Sequence, residues 1–142
     1  VMQESPVAND LRFLISTLGV VGEIESVADD AVKLARRSRK LVGVFPSSLK
    51  VSFSEVSGMS RSMFNQAMKL YLDYSDELSQ EIINQDVDVD KAYSCARDQI
   101  YEMIKADPVN TEHLIRAIES FHALVHMRIS PAGSLEEAQV AG

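Results

Sequence analysis

Two acid pairs in this chain share one spacing: Glu25-Ser-Val-Ala-Asp29 and Asp86-Val-Asp-Val-Asp90. Residues i and i+4 of a helix lie on one face, about 6 Å apart. Two such pairs on facing helices bring four or more carboxylate oxygens to one point, which is how helical bundles bind hard or borderline divalent cations. Glu25 is the more telling member. Apolar residues recur at Val7, Leu11, Leu14, Leu18, Val21, Ala28, Val32 and Ala35 in steps of four and three, and Glu25 fills the missing place in that series. A carboxylate facing a core is costly to desolvate unless it is paired, hydrogen-bonded or bound to a cation. The residues leave two readings open for Glu25, a ligand site and a buried salt-bridge partner. For Asp86 and Asp90, a solvated helix face is the plainer alternative.

A second constellation, Glu119-x-x-His122-x-x-x-His126, presents a carboxylate and two imidazoles near one helix edge. That ligand type suits zinc or iron. Di-iron bundles need a second Glu-x-x-His, which this chain lacks, so two polar-edge histidines are the plainer reading. Cys95 has no neighbouring histidine or basic residue in sequence to activate a thiolate and is expected to fill core. Met59, Met63, Met68 and Met103 are expected there too. The serines between positions 47 and 62 lack a nucleophile-elbow glycine pattern.

Four helices must position these groups. The first is predicted from about Pro6 to Arg39, with Ser5 as its cap and Pro6 as its first helical residue. Gly19 and Gly22 in its middle suggest that another helix passes close there. Its end is basic, from Arg36 to Lys40, which complements the helix dipole. That cluster reads as a solvated helix end, with contact to an anionic membrane surface or partner as the functional alternative. Gly43 and Pro46 mark a connector over 41–51. Ser52-x-x-Glu55 reads as a capping box opening the second helix, with Val56, Met59, Met63, Ala67, Leu70 and Tyr74 inward. Ser75 caps a third helix whose stripe is Leu78, Ile82, Val89, Tyr93, Ala96, Ile100 and Met103. That stripe runs unbroken through Asp86–Asp90, although aspartate and valine are mediocre helix formers. Asp107-Pro108 ends it. The fourth helix is expected from Thr111 to Ile129, with Leu114, Ile118, Phe121 and Val125 inward and a frayed tail after Pro131. The fold class is all-α, an antiparallel helical bundle.

Bulk composition agrees. A chain of 142 residues with 46% hydrophobic content can bury the core of one globular domain. A net charge of -7 argues against a nucleic-acid binder, which normally carries a basic face, and suits a protein that handles cations or basic partners. The single cysteine excludes an internal disulfide and fits a reducing compartment. No run reaches the roughly 18 apolar residues of a membrane span. The opening Val1 is read as the start of a fragment.

These motifs in this order resemble the PhoU family of phosphate-transport regulators. The likeness begins at Pro6-Val-Ala-Asn-Asp-Leu-Arg12, similar to the start of a third repeat helix, and continues through Glu25-Ser-Val-Ala-Asp29, Pro46-x-x-Leu49, Asp76, the Asp86-x-x-Val-Asp90 segment with Tyr93, and Asp107-Pro108. It covers about residues 2 to 130. The resemblance implies one helix of a preceding repeat over 1–40, a linker over 41–51, a three-helix repeat over 52–130 and a tail over 131–142. It implies a non-enzymatic, cytoplasmic adaptor coupling a phosphate transporter to a sensor kinase, with peripheral contact to the membrane through the transporter; self-association is expected from an apolar face left uncovered. The same domain fused to a sodium–phosphate cotransporter is the alternative, and a carboxylate/histidine metallo-enzyme a more distant one. It further implies divalent metal (iron, zinc, magnesium or manganese) at Glu25, Asp29, Asp86 and Asp90. The family's acidic motif on the final helix is not intact here: Glu119–Ala123 or Met127–Pro131 takes its place. Two helices that would precede residue 1, one bearing the partner of Glu25 and Asp29, are absent, and an uncovered apolar face is the expected result.

Overall fold

The computed structural model describes residues 4–128. Those residues form four α-helices and two short 3-10 turns, with no strand among the described residues. Helix α1 spans Glu4–Leu41, α2 Lys50–Leu72, α3 Asp76–Ala106 and α4 Thr111–His126. The all-α reading holds. Residues 131–142 and the end of the fourth helix at Ile129 lie outside the described residues.

Local chemistry explains the junctions. At the end of α1 the backbone N–H groups of Val44 and Phe45 donate to the Leu41 carbonyl, and Gly43 takes the left-handed conformation (φ 78°) that lets the chain turn back. Pro46 leads into a 3-10 turn over Ser47–Leu49, and α2 follows without interruption at Lys50. The capping box expected at Ser52 is therefore not what opens this helix: the chain is helical before it, and Leu49, fully buried, occupies the cap position. Ser75 does cap α3, its hydroxyl accepting from the Leu78 N–H at 3.3 Å. That helix runs without a break through Asp86–Asp90, because Ile82, Val89 and Ala96 remain in phase and are buried. Tertiary burial outweighs local propensity there. Asp107 (φ −142°, ψ 86°) leaves the helical region ahead of Pro108, and its carboxylate accepts from the Val109 N–H.

The helices alternate in direction. Residues 66 and 81 meet across α2 and α3, 93 and 122 across α3 and α4, and 37 and 119 across α1 and α4. Two buried clusters hold α2, α3 and α4 together. One is built on Leu49, Val56, Ala96, Ile100, Leu114, Ala117, Phe121 and Leu124, the other on Met63, Leu70, Ile82 and Val89. A run of edge-to-face rings, Phe45 on Phe53 at 5.5 Å and Phe53 on Phe121 at 5.1 Å, carries the first cluster out to the α1–α2 turn. Helix α1 packs chiefly along α4 and meets α2 near its own N-terminal third, where Thr17 hydrogen-bonds Tyr71 and Phe13 stacks on the same ring.

The face that α1 turns inward corrects the sequence reading. Ser16, Val20, Asp30 and Leu41 are buried on it, with Glu23, Val27, Leu34 and Arg37 half-buried between them. The stripe Val7, Leu11, Leu14, Leu18, Val21, Ala28, Val32 and Ala35 faces outward and is exposed along its length. The helix carries two registers of period 3.5, and α4 has taken the less apolar one. Gly22 likewise has open space where a side chain would stand, so no helix among the described residues passes close to it.

Candidate functional site

Glu25 and Asp29 lie on the outward face of α1, are exposed, and make no ion pair or side-chain hydrogen bond among the described residues. Glu25 is thus solvated in this chain rather than desolvated in a core. Asp30, one residue beyond Asp29 and so about 100° further round the helix, is the acid that α1 buries. Its Oδ2 lies 3.1 Å from His126 Nδ1 on α4, and its Oδ1 lies 3.4 Å from Lys33 Nζ. The sequence reading passed over Asp30 because Asp29 completed the spacing. The signal that finds it is the second register, Ser16, Val20, Glu23, Val27, Asp30, Leu34.

Asp86 and Asp90 stand on α3 opposite the end of α4, where a residue the sequence reading did not single out meets both. The Arg128 guanidinium places Nη1 3.0 Å from Asp86 Oδ1 and Nη2 2.7 Å from Asp90 Oδ1. Nη1 also donates to the Asp86 backbone carbonyl at 3.2 Å. Asp86 Oδ1 itself is held by charge, without a hydrogen bond directed at it. Burial pushes the Asp86 carboxyl above the ordinary carboxylate range, Arg128 pulls it back, and the like charge of Asp90 pushes it up again.

The histidine constellation separates. Glu119 turns to α1, where its Oε2 lies 3.5 Å from Arg37 Nε and its carbonyl accepts from Arg37 Nη1. His122 and His126 stay together, ring centres 5.4 Å apart, and His122 packs edge-on to Tyr93 at 6.2 Å. Both imidazoles line a cleft of about 390 Å³ with Glu23, Ser26, Asp86, Val125 and Arg128. Here the charged groups of α1, α3 and α4 converge, beside the end of α4.

Each element supplies its part for a local reason. The i,i+4 step on α3 turns both aspartates to α4. The end of α4 carries His126 and, just beyond it, Arg128, a cationic group of the kind favoured beside the negative end of a helix dipole. The seven-residue register of α1 delivers Asp30. The arrangement can hold three helices in fixed relation through opposite charges. It does not fit a metal cluster. Among the described residues no three His, Cys, Asp or Glu side chains are grouped to hold an ion, Arg128 already engages Asp86 and Asp90, and Glu25 and Asp29 stand apart on the far face. Cys95 is exposed rather than packed in the core, because it lies between the stripe residues Tyr93 and Ala96, out of phase with both on α3. No helix among the described residues is long and apolar enough to cross a membrane.

Comparison with known proteins comes to the same place from another side. The PhoU domain profile matches residues 53–128, more than half of the chain. A curated relative from Pseudomonas putida, a phosphate-specific transport system accessory protein PhoU homolog, is 25% identical over 124 residues, covering 86% of this chain and 48% of the relative. Proteins of the same description from Clostridium acetobutylicum and Borreliella burgdorferi are 24% and 23% identical, covering 80% and 93% of this chain and 52% and 62% of their own. The chain thus spans about half the length of the curated relatives it matches. No solved structure matches it.

Proposed function

The chain belongs to the PhoU family, and from that membership we propose that it is an accessory module of phosphate uptake that works by binding, not by catalysis. Its partners in this reading are a phosphate transporter and a sensor kinase, met in the cytoplasm at the membrane surface. The observation that carries the binding reading is the outward face of α1, where Val7, Leu11, Leu14, Leu18, Val21 and Val32 are all exposed. An exposed apolar face of this kind marks an interaction surface. The charged cleft agrees with the binding side of the reading: Asp86 is engaged there by Arg128, and Asp30 beside it by His126. A divalent ion belongs to this proposal at Glu25 and Asp29 alone, whose free carboxylates would need further oxygen ligands from whatever covers that face.

The test is phosphate uptake in the host with the gene deleted, joined to affinity purification of the tagged, full-length gene product from membranes. Altered uptake and a recovered phosphate transporter support the reading. Unchanged uptake with no transporter recovered would overturn it.

A further inference from the structure

We propose that Arg128 is a built-in replacement for a metal ion: its guanidinium supplies, from within the chain, the positive charge that Asp86 and Asp90 would otherwise draw from a divalent cation. The geometry carries this. Two carboxylates one helical turn apart on α3 face the same guanidinium, at 3.0 Å and 2.7 Å, and the third contact, to the Asp86 carbonyl, fixes the fork against the helix backbone. Arg128 is itself four-fifths buried, its side chain 17% exposed, so the charge is held at the site rather than trailing in solvent. A planar fork with several donors suits two carboxylates far better than a lysine would. The resemblance to a metal-binding family calls for a divalent ion at this acid pair. The chain answers the same electrostatic demand with a side chain that cannot be chelated away.

The exchange has a physical consequence. A divalent ion approaching Asp86 and Asp90 meets a like charge about 3 Å from each carboxylate, and that repulsion opposes binding. The tie between α3 and the end of α4 is then independent of metal supply. It responds to ionic strength instead, and only weakly, since the arginine is largely buried.

Isothermal titration of the chelator-washed 142-residue chain with Mn²⁺ tests this, beside the same titration of Arg128→Ala, Arg128→Gln and Asp86→Asn/Asp90→Asn. The wild-type chain is expected to show no Mn²⁺ binding that the Asp86→Asn/Asp90→Asn change removes. Arg128→Ala and Arg128→Gln are expected to bind Mn²⁺ at least about tenfold more tightly than wild type, once the competing charge is gone, and to lose that gain when Asp86→Asn/Asp90→Asn is added. Stoichiometric wild-type binding that disappears in Asp86→Asn/Asp90→Asn would overturn the proposal, and it decides the matter even if an arginine variant folds poorly. So would a folded Arg128→Gln chain, judged by its circular dichroism, that gains no Mn²⁺ affinity.

Discussion

Asp30 and His126 meet across the α1–α4 interface at 3.1 Å, and they are unequal partners: the aspartate side chain is 10% exposed and the imidazole 63%. Removing the exposed partner should therefore do more harm than removing the buried one. His126→Ala leaves a buried carboxylate with only Lys33 at 3.4 Å, whereas Asp30→Asn leaves an imidazole that water can satisfy. His126→Ala is expected to cost about 1–3 kcal/mol and Asp30→Asn less. In the Asp30→Asn background His126→Ala should cost little. Urea unfolding followed by circular dichroism reads all three. Full additivity of the two substitutions in the double variant would mean that the pair contributes nothing to holding α1 in place.

Two neighbouring residues of α1 test which face packs. Val20 is 7% exposed and Leu18 72%. Val20→Ala is expected to cost about 1–3 kcal/mol, from lost burial and the cavity left behind. Leu18→Ala, although it removes the larger side chain, should stay within about 0.5 kcal/mol. If Leu18 proves the costlier site in the isolated chain, the helix is rotated from the arrangement described.

That same pair shows where sequence reasoning reached and where it stopped. Inside α2, α3 and α4 one apolar register dominates, so Val56, Met63, Leu70, Ile82, Val89, Ile100, Leu114 and Phe121 could be named as inward from periodicity alone, and they are buried or fully enclosed. The Ser75 cap and the Asp107-Pro108 stop were equally legible, since their chemistry is local. On α1 two registers compete. Periodicity ranks the more apolar one first, but it cannot say which face has a partner within the chain. From that single choice follow the exposed positions of Glu25 and Asp29 and the oversight of Asp30. Arg128 escaped for a different reason: its role depends on the end of α4 arriving opposite Asp86 and Asp90, a tertiary coincidence that no spacing along the chain encodes.

Asp86 gives a prediction with a definite sign. Its carboxyl is raised above the ordinary range, first by burial and then by Asp90, against the pull of Arg128. A raised acid contributes stability that is fully present below its unfolded-state pKa and is lost as pH rises through its folded value. Asp86→Asn imitates the protonated acid and does not titrate. The variant's stability relative to wild type should therefore improve as pH climbs from below the carboxylate range to neutrality. Urea midpoints across that range read the trend, and a relative stability that falls with pH would show that Arg128 more than offsets the burial of Asp86.

The outward stripe of α1 makes a prediction about association. Val7, Leu11, Leu14, Leu18 and Val21 form an uninterrupted apolar run, and Glu25 then breaks it before Ala28 and Val32 resume. Copies of the isolated chain should associate through the uninterrupted half, because burying that half removes large aliphatic side chains from water without desolvating an acid. Sedimentation across a concentration series is expected to show reversible self-association. Leu14→Glu with Leu18→Glu should shift the chain to monomer without loss of helical content, since both positions are already exposed. Glu25→Leu should act in the other direction, tightening association by joining the two halves of the stripe. A chain that stays monomeric throughout, or a Glu25→Leu variant that associates no more strongly than wild type, would show that this face does not bind copies of itself.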